Sequence, residues 1–179
     1  MVYRYTSKKG NTALVRPVRK DDLDNLLAFA NNLIAEDTFV MLSGTPISRN
    51  DEEKYLRDSL KDVREGKKIH LIAEINGQFA GSGEVRIGDK RKRHVGEIGI
   101  SLDKHFREEG IGTILLNVLI DESRKRGLTL LYLHCFETNA RAIHVYEKLG
   151  FMNAGTVPGM YAYKGGSIGE VTMYLPLAA

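Results

Sequence analysis

Arg107-Glu108-Glu109-Gly110-Ile111-Gly112-Thr113 is the stretch on which the fold turns. Before it, residues 95–102 read as a strand. After it, Ile111, Ile114, Leu115, Val118 and Leu119 recur on one face of a helix that runs from Gly110 to about Arg126. Gly127 stops that helix, and residues 128–136 form an almost continuous apolar run, the pattern of a strand buried on both faces. Two glycines at such a junction let the backbone turn tightly and expose bare N–H groups. The first helical turn also carries unpaired amides and partial positive charge, so a pyrophosphate fits there, with Arg107 and the Thr113 hydroxyl as further donors. A glycine-rich connection with merely solvated amides fits the same residues. No Gly-Lys-Ser/Thr follows, so the segment is not a P-loop, and it lacks the three glycines of the dinucleotide fingerprint.

Upstream, residues 13–18 form a first strand. Asp21 or Asp22 is placed to cap a helix with Leu23, Leu26, Leu27, Ala30 and Leu33 at helical spacing. A second helix starts at Ser48, runs toward Arg64 and stops at Gly66. The period then shortens: residues 70–75 and 79–87 flank Asn76-Gly77, a strong hairpin signal. Downstream, a short helix covers residues 140–149, and residues 151–177 read as two strands around Lys164-Gly165-Gly166-Ser167. The order is one strand, two helices, three strands, a helix, a strand, a helix and two strands. It predicts a single α/β domain over residues 1–179, with a mixed, mostly antiparallel sheet of about seven strands and helices on both faces.

Composition narrows the function classes. A chain of 179 residues with 42% hydrophobic and 27% charged residues is long enough for one well-cored domain and not disordered. No apolar run approaches the roughly 18 residues that span a membrane, and the polar start, Met1 to Gly10, does not read as a signal peptide. One cysteine, Cys135, forms no internal disulfide, so an intracellular, cytoplasmic setting is expected. A net charge of +3 does not argue for nucleic acid, and Lys90-Arg91-Lys92-Arg93-His94 reads as a solvated hairpin tip. The five histidines show no metal-ligand spacing, so no metal is expected.

A second segment stands about thirty residues on: Asn139-Ala140-Arg141-Ala142-Ile143-His144-Val145-Tyr146-Glu147-Lys148-Leu149-Gly150-Phe151. Asn139 and Tyr146 lie two helical turns apart on one face, about 10 Å from end to end, with small Ala142 between them. A helix cap at Asn139 and a packing role for Tyr146 are the plainer alternatives. Together the two segments resemble the acyl-CoA-binding core of the GNAT N-acetyltransferases. Arg107, Gly110 and Gly112 fill that family's phosphate-loop places, and Asn139, Tyr146 and Leu149-Gly150-Phe151 fill its second motif. The close resemblance covers about residues 95–151.

The resemblance implies direct acetyl transfer from acetyl-CoA to an amine. Pantetheine would lie along the strand near Ile100 and Leu102. The pyrophosphate would be held by Arg107, Glu108, Gly110, Ile111, Gly112 and Thr113, with Asn139 and Ala142 alongside. Tyr146 would protonate the departing thiolate, and Glu97, or else Glu84, would take a proton from the amine. The acceptor stays open among a protein N-terminus, a lysine, a polyamine, an amino acid and another small amine. Glu36-Asp37-Thr38-Phe39 with Asp51, Glu52 and Glu53 offers an acidic approach for a cationic one. A non-catalytic CoA-binding module on the same fold is the alternative function. A homodimer through edge or C-terminal strands is the expectation carried by relatives. One departure stands out: family members often carry glycine and a basic or small residue where this chain has Glu108 and Glu109. Carboxylates there cost little if they face solvent and weaken CoA binding if they face inward.

Overall fold

In the computed structural model, which describes residues 2–37 and 39–177, all the expected elements are found and one strand is added. The strands are β1 (Tyr3–Thr6), β2 (Thr12–Pro17), β3 (Lys68–Ile75), β4 (Gln78–Ile87), β5 (Val95–Leu102), β6 (Leu130–Phe136), β7 (Met152–Tyr163) and β8 (Gly166–Pro176). The helices are α1 (Leu23–Glu36), α2 (Arg49–Arg64), α3 (Ile111–Lys125) and α4 (Ala140–Lys148). They build one sheet of eight strands in the order β1-β2-β3-β4-β5-β6-β8-β7. Every neighbouring pair is antiparallel except β5 with β6, which α3 links as a parallel crossover. The eighth strand, β1, pairs with β2 at the sheet edge; its side chains are mostly exposed, so it carries little apolar signal.

The larger core lies on the face covered by α3 and α4, where Leu115, Leu119, Leu131, Leu133 and Met173 are all but inaccessible. Gly96 permits this close packing: a β-carbon there would meet Val85 Cγ1 at 2.6 Å and Leu131 Cδ2 at 2.8 Å. On the opposite face α1 and α2 enclose a smaller cluster of Val18, Leu26, Leu56 and Ile72. A buried histidine, His70, ties α2 to the sheet there: Nδ1 lies 2.8 Å from Ser59 Oγ and Nε2 2.9 Å from Ser82 Oγ. Burial pushes its pKa down to about 4, so the ring is neutral at pH 7.

Two readings change in detail. α2 begins where expected, and Ser48 caps it, accepting from the Asp51 amide at 3.2 Å. Asp22, however, caps no α-helical amide. Its Oδ2 accepts the Arg19 amide at 2.7 Å across a short 3-10 turn, and both oxygens accept from Arg16 at 2.9 and 2.7 Å. Residues 128–136 are not buried on both faces either, because Tyr132 and His134 lie outside the core.

Arg16 also bonds Glu74 on β3, so one guanidinium joins β2, β3 and the entry to α1. Burial alone would raise the Asp22 carboxyl, but Arg16 and the Arg19 amide outweigh it and hold it below its ordinary value. A carboxyl lowered in the fold contributes stability above its unfolded pKa of about 3.9, lost as pH falls through the folded value. Arg16→Met should therefore cost about 3–5 kcal/mol in urea unfolding at pH 7, because it strands two carboxylates. The gap from the unaltered protein should narrow below about pH 4, as the Asp22 carboxyl protonates. A gap that stays constant with pH would assign the loss to packing instead.

Candidate functional site

The β5–β6 ladder holds three pairs, Val95↔Leu130, Gly96↔Leu131 and Glu97↔Tyr132, and then ends. Residues 98–102 continue beside β4, while residues 133–136 continue beside β8. Between the parted strands runs a groove of about 1140 Å³, lined by Gly99, Ile100 and Ser101 on one side and His134 and Cys135 on the other. Backbone groups that would have bonded β6 face this groove. Every site residue expected from the sequence lines it, from Glu97, Ile100 and Leu102 through Arg107, Glu108 and residues 110–113 to Asn139, Ala142 and Tyr146.

At one end stands the N-terminus of α3. Gly110 caps it with φ +79°, a left-handed value that suits glycine. The first intrahelical bond runs from the Ile114 amide to the Gly110 carbonyl at 3.2 Å, so the amides of 111–113 have no helical acceptor. Gly112 keeps this turn against β5, since a β-carbon there would stand 3.0 Å from Leu102 Cδ1. The Thr113 side chain is exposed, whereas Ile111 is buried beneath the turn.

The charged residues of the loop point elsewhere. The Arg107 guanidinium grips both oxygens of Glu36 on α1, with Nη2 to Oε2 at 2.8 Å, and donates to the Leu102 carbonyl at 3.1 Å. Its side chain therefore ties α1 to β5 and is not free as a phosphate donor. Glu108 is exposed and pairs with Arg141 on α4 at 2.6 Å. Glu109 is buried but turns toward the β1–β2 hairpin, where it accepts from Ser7 Oγ at 2.5 Å and Asn11 Nδ2 at 3.1 Å. Those two hydrogen bonds hold its carboxyl below the ordinary range. The same hairpin donates the Lys8 amide to the Glu109 carbonyl at 2.9 Å and lays the Lys8 stem over Gly110. Sequence reasoning missed Lys8, because only the β1–β2 pairing brings it to the loop.

At the parting of the strands lies α4. Asn139 Oδ1 caps it, accepting from the Ala142 amide at 3.2 Å, so the plainer reading of Asn139 holds alongside its place in the groove. Tyr146 is 9% exposed, its ring 5.8 Å from Phe151, and among the described residues its hydroxyl has no hydrogen-bond partner. Burial, with a smaller contribution from Cys135, pushes its phenol well above the usual value. Burial, with Glu170 secondary, also moves the Cys135 thiol up to about 11.

The groove wall toward α2 is polar. Glu97 accepts from Tyr132 at 3.3 Å and faces Arg86 across the β4–β5 register. Glu84 takes Tyr55 at 3.0 Å, Lys68 at 3.0 Å and Arg86 at 2.6 Å, a set of partners that leaves it little freedom to move protons. His134 holds Thr172 Oγ1 and Glu170 Oε1, each 3.1 Å from Nδ1. Its place in the groove went unread because the surrounding run is so apolar; the Tyr132/His134 alternation was the available signal.

Residues 32–151 match the Acetyltransferase (GNAT) family. The [ribosomal protein bS18]-alanine N-acetyltransferase of Escherichia coli K12 is 38% identical over 79 residues, 44% of this chain and 53% of that protein. The chain thus spans about half the length of this curated relative. The crystal structure of a ribosomal-protein-alanine N-acetyltransferase from Brucella melitensis superposes with a TM-score of 0.81 at 27% identity, covering 91% of this chain and 99% of that one. A Salmonella typhimurium acetyltransferase structure containing acetyl-CoA shares the fold, with a TM-score of 0.81, 20% identity and coverage of 93% and 94%. With its glycine-opened helix, its parted strands and this match over residues 32–151, the chain belongs to the acetyltransferase (GNAT) family.

Proposed function

We propose that the protein transfers the acetyl group of acetyl-CoA directly to a primary amine. The observation that carries this reading is the groove itself. It joins bare helix amides, a free strand edge and the Tyr146 phenol, which has no hydrogen-bond partner among the described residues, along one path. The pyrophosphate sits at the amides of 111–113, assisted by the Lys8 ammonium in place of the occupied Arg107. Pantetheine follows the free edge of β5 and brings the thioester to Tyr146. The amine nitrogen attacks the thioester carbonyl, the C–S bond breaks, and Tyr146 donates its proton to the sulfur. Its raised pKa keeps that proton in place at neutral pH.

The amine must attack uncharged. For a lysine-like amine of pKa about 10.4, losing the proton at pH 7 costs roughly 4.6 kcal/mol, and Glu97, directly or through water, receives it. A protein α-amine, with pKa about 8, needs far less help. The alanine N-acetyltransferases among the relatives favour an α-amine acceptor.

The first test is thermal shift with acetyl-CoA and CoA against ATP and NAD. A ligand at about a hundred times its Kd should add roughly 2.7 kcal/mol, and stabilisation by the two CoA species alone supports the donor. Tyr146→Phe should then lower kcat about 10²-fold or more with CoA affinity unchanged; undiminished turnover removes Tyr146 from the mechanism. Lys8→Ala should raise the KM for acetyl-CoA about three- to fivefold with kcat unchanged, as a partly solvated ion pair would. An unaltered KM would leave the phosphates to the backbone alone.

A further inference from the structure

The acidic residues near the groove are not equal. Glu36 is spent on Arg107, and Glu84 is cancelled by Lys68 and Arg86. Glu97 faces Arg86 and Tyr132. Asp51 is exposed and accepts from Ser48, Glu53 lies outside the groove, and Thr38 lies outside the described residues. Glu52 differs from all of them. It sits on the inward face of α2, 4% exposed, and lines the groove. Among the described residues no hydrogen bond or ion pair reaches its carboxylate, whose oxygens keep a little exposure where the residue lines the groove. Burial pushes its pKa up, the expected response of a carboxyl without a counter-charge.

A carboxylate on a nearly enclosed side chain that opens only on a binding groove, with no cation in the fold beside it, is set to receive one from a ligand. The attacking nitrogen cannot be its permanent partner, since that nitrogen must be uncharged at the moment of attack. Beside the polar wall, the groove lining also includes Met41, Leu42 and Ile47, apolar surface that suits an aliphatic stem. We propose that Glu52 is the counter-ion for a second cationic group, an ammonium or guanidinium on an aliphatic stem, carried by the amine acceptor. This rests on the acetyltransferase reading and narrows it: acceptors are diamines, or peptides whose free N-terminus is followed by a basic side chain.

The test compares isosteric probes in the presence of saturating CoA. One pair is 1,5-diaminopentane with pentylamine; the other is alanyl-lysine amide with alanyl-norleucine amide. Binding, read by calorimetry, should favour the dicationic member of at least one pair by about tenfold or more in the unaltered protein. Which pair responds separates a free diamine from a peptide. Glu52→Gln should erase that preference while leaving CoA affinity and the affinity for the neutral probe unchanged. The same variant should be at least as resistant to urea at pH 8 as the unaltered protein. A carboxyl whose pKa is raised in the fold costs stability once pH exceeds that value, and the amide removes this cost. Equal binding of both members of each pair, or a preference that survives Glu52→Gln, overturns the inference. Failure of CoA itself to bind would instead remove the donor reading on which it rests.

Discussion

Three residue pairs of parallel ladder, and no more, determine what this sheet can do. Between β5 and β6 the hydrogen bonds stop at Glu97↔Tyr132, so the middle of an eight-stranded sheet contains two free inner edges. Unpaired backbone groups in a sheet interior need partners as surely as those at an outer edge, and here water or an extended ligand must supply them. Because β5 and β6 run parallel, both end at the same side, and the helices that follow them begin there. The N-termini of α3 and α4 therefore open on the cleft. This is the geometry that places ligands beyond the carboxyl ends of parallel strands.

The two faces of the sheet then divide the work. α3 and α4 pack on the large apolar core, and their rigidity holds Gly110, Asn139 and Tyr146 at fixed places along the groove. α1 and α2 cover the opposite face with a smaller core and a polar wall. Charge pairs cross between these units at few points, and each crossing fixes a boundary of the groove. Arg107 to Glu36 links the phosphate loop to α1. Glu108 to Arg141 links the same loop to α4. Glu109 anchors the β1–β2 hairpin over α3. Of the two carboxylates in this loop, Glu109 thus turns to the hairpin, and the charge of Glu108 at the groove is offset by Arg141.

The helix face of Ile111, Leu115 and Leu119, the Asn76-Gly77 hairpin and the Asn139/Tyr146 spacing were legible because their signals are local: a period, a turn, a two-turn separation. What was not legible depends on pairing across the chain. β1 reads as a polar stretch until β2 lies beside it. Arg107 reads as a phosphate donor until Glu36, 71 residues away, claims its guanidinium. The direction in which Glu108 and Glu109 point is set by Arg141 and Ser7, and no window around residue 108 contains either. Nor does the apolar run around Cys135 announce that its ladder to β5 ends after Tyr132. The acidic segments drew attention to α1 and α2 but not to the unpartnered carboxyl, because pairing is what distinguishes Glu52 from Glu36.

The proposed direct transfer, without an acyl-enzyme, draws support from the surroundings of Cys135. Cys135 and His134 are consecutive in β6, so their side chains leave opposite faces of the strand. The thiol lies on the core face beneath Tyr146, pushed up to about 11 by burial, while the imidazole that would serve as its base points to the other side, held by Glu170 and Thr172. A thiol so placed stays protonated and is a weak nucleophile toward a thioester. Its neighbour Tyr146 is likewise kept in the acid form by burial, and an acid is what a departing thiolate requires. Both buried groups at the parting of the strands are therefore held as proton carriers. That environment agrees with the proposed reaction, in which the nucleophile is the acceptor's own amine and not a protein side chain.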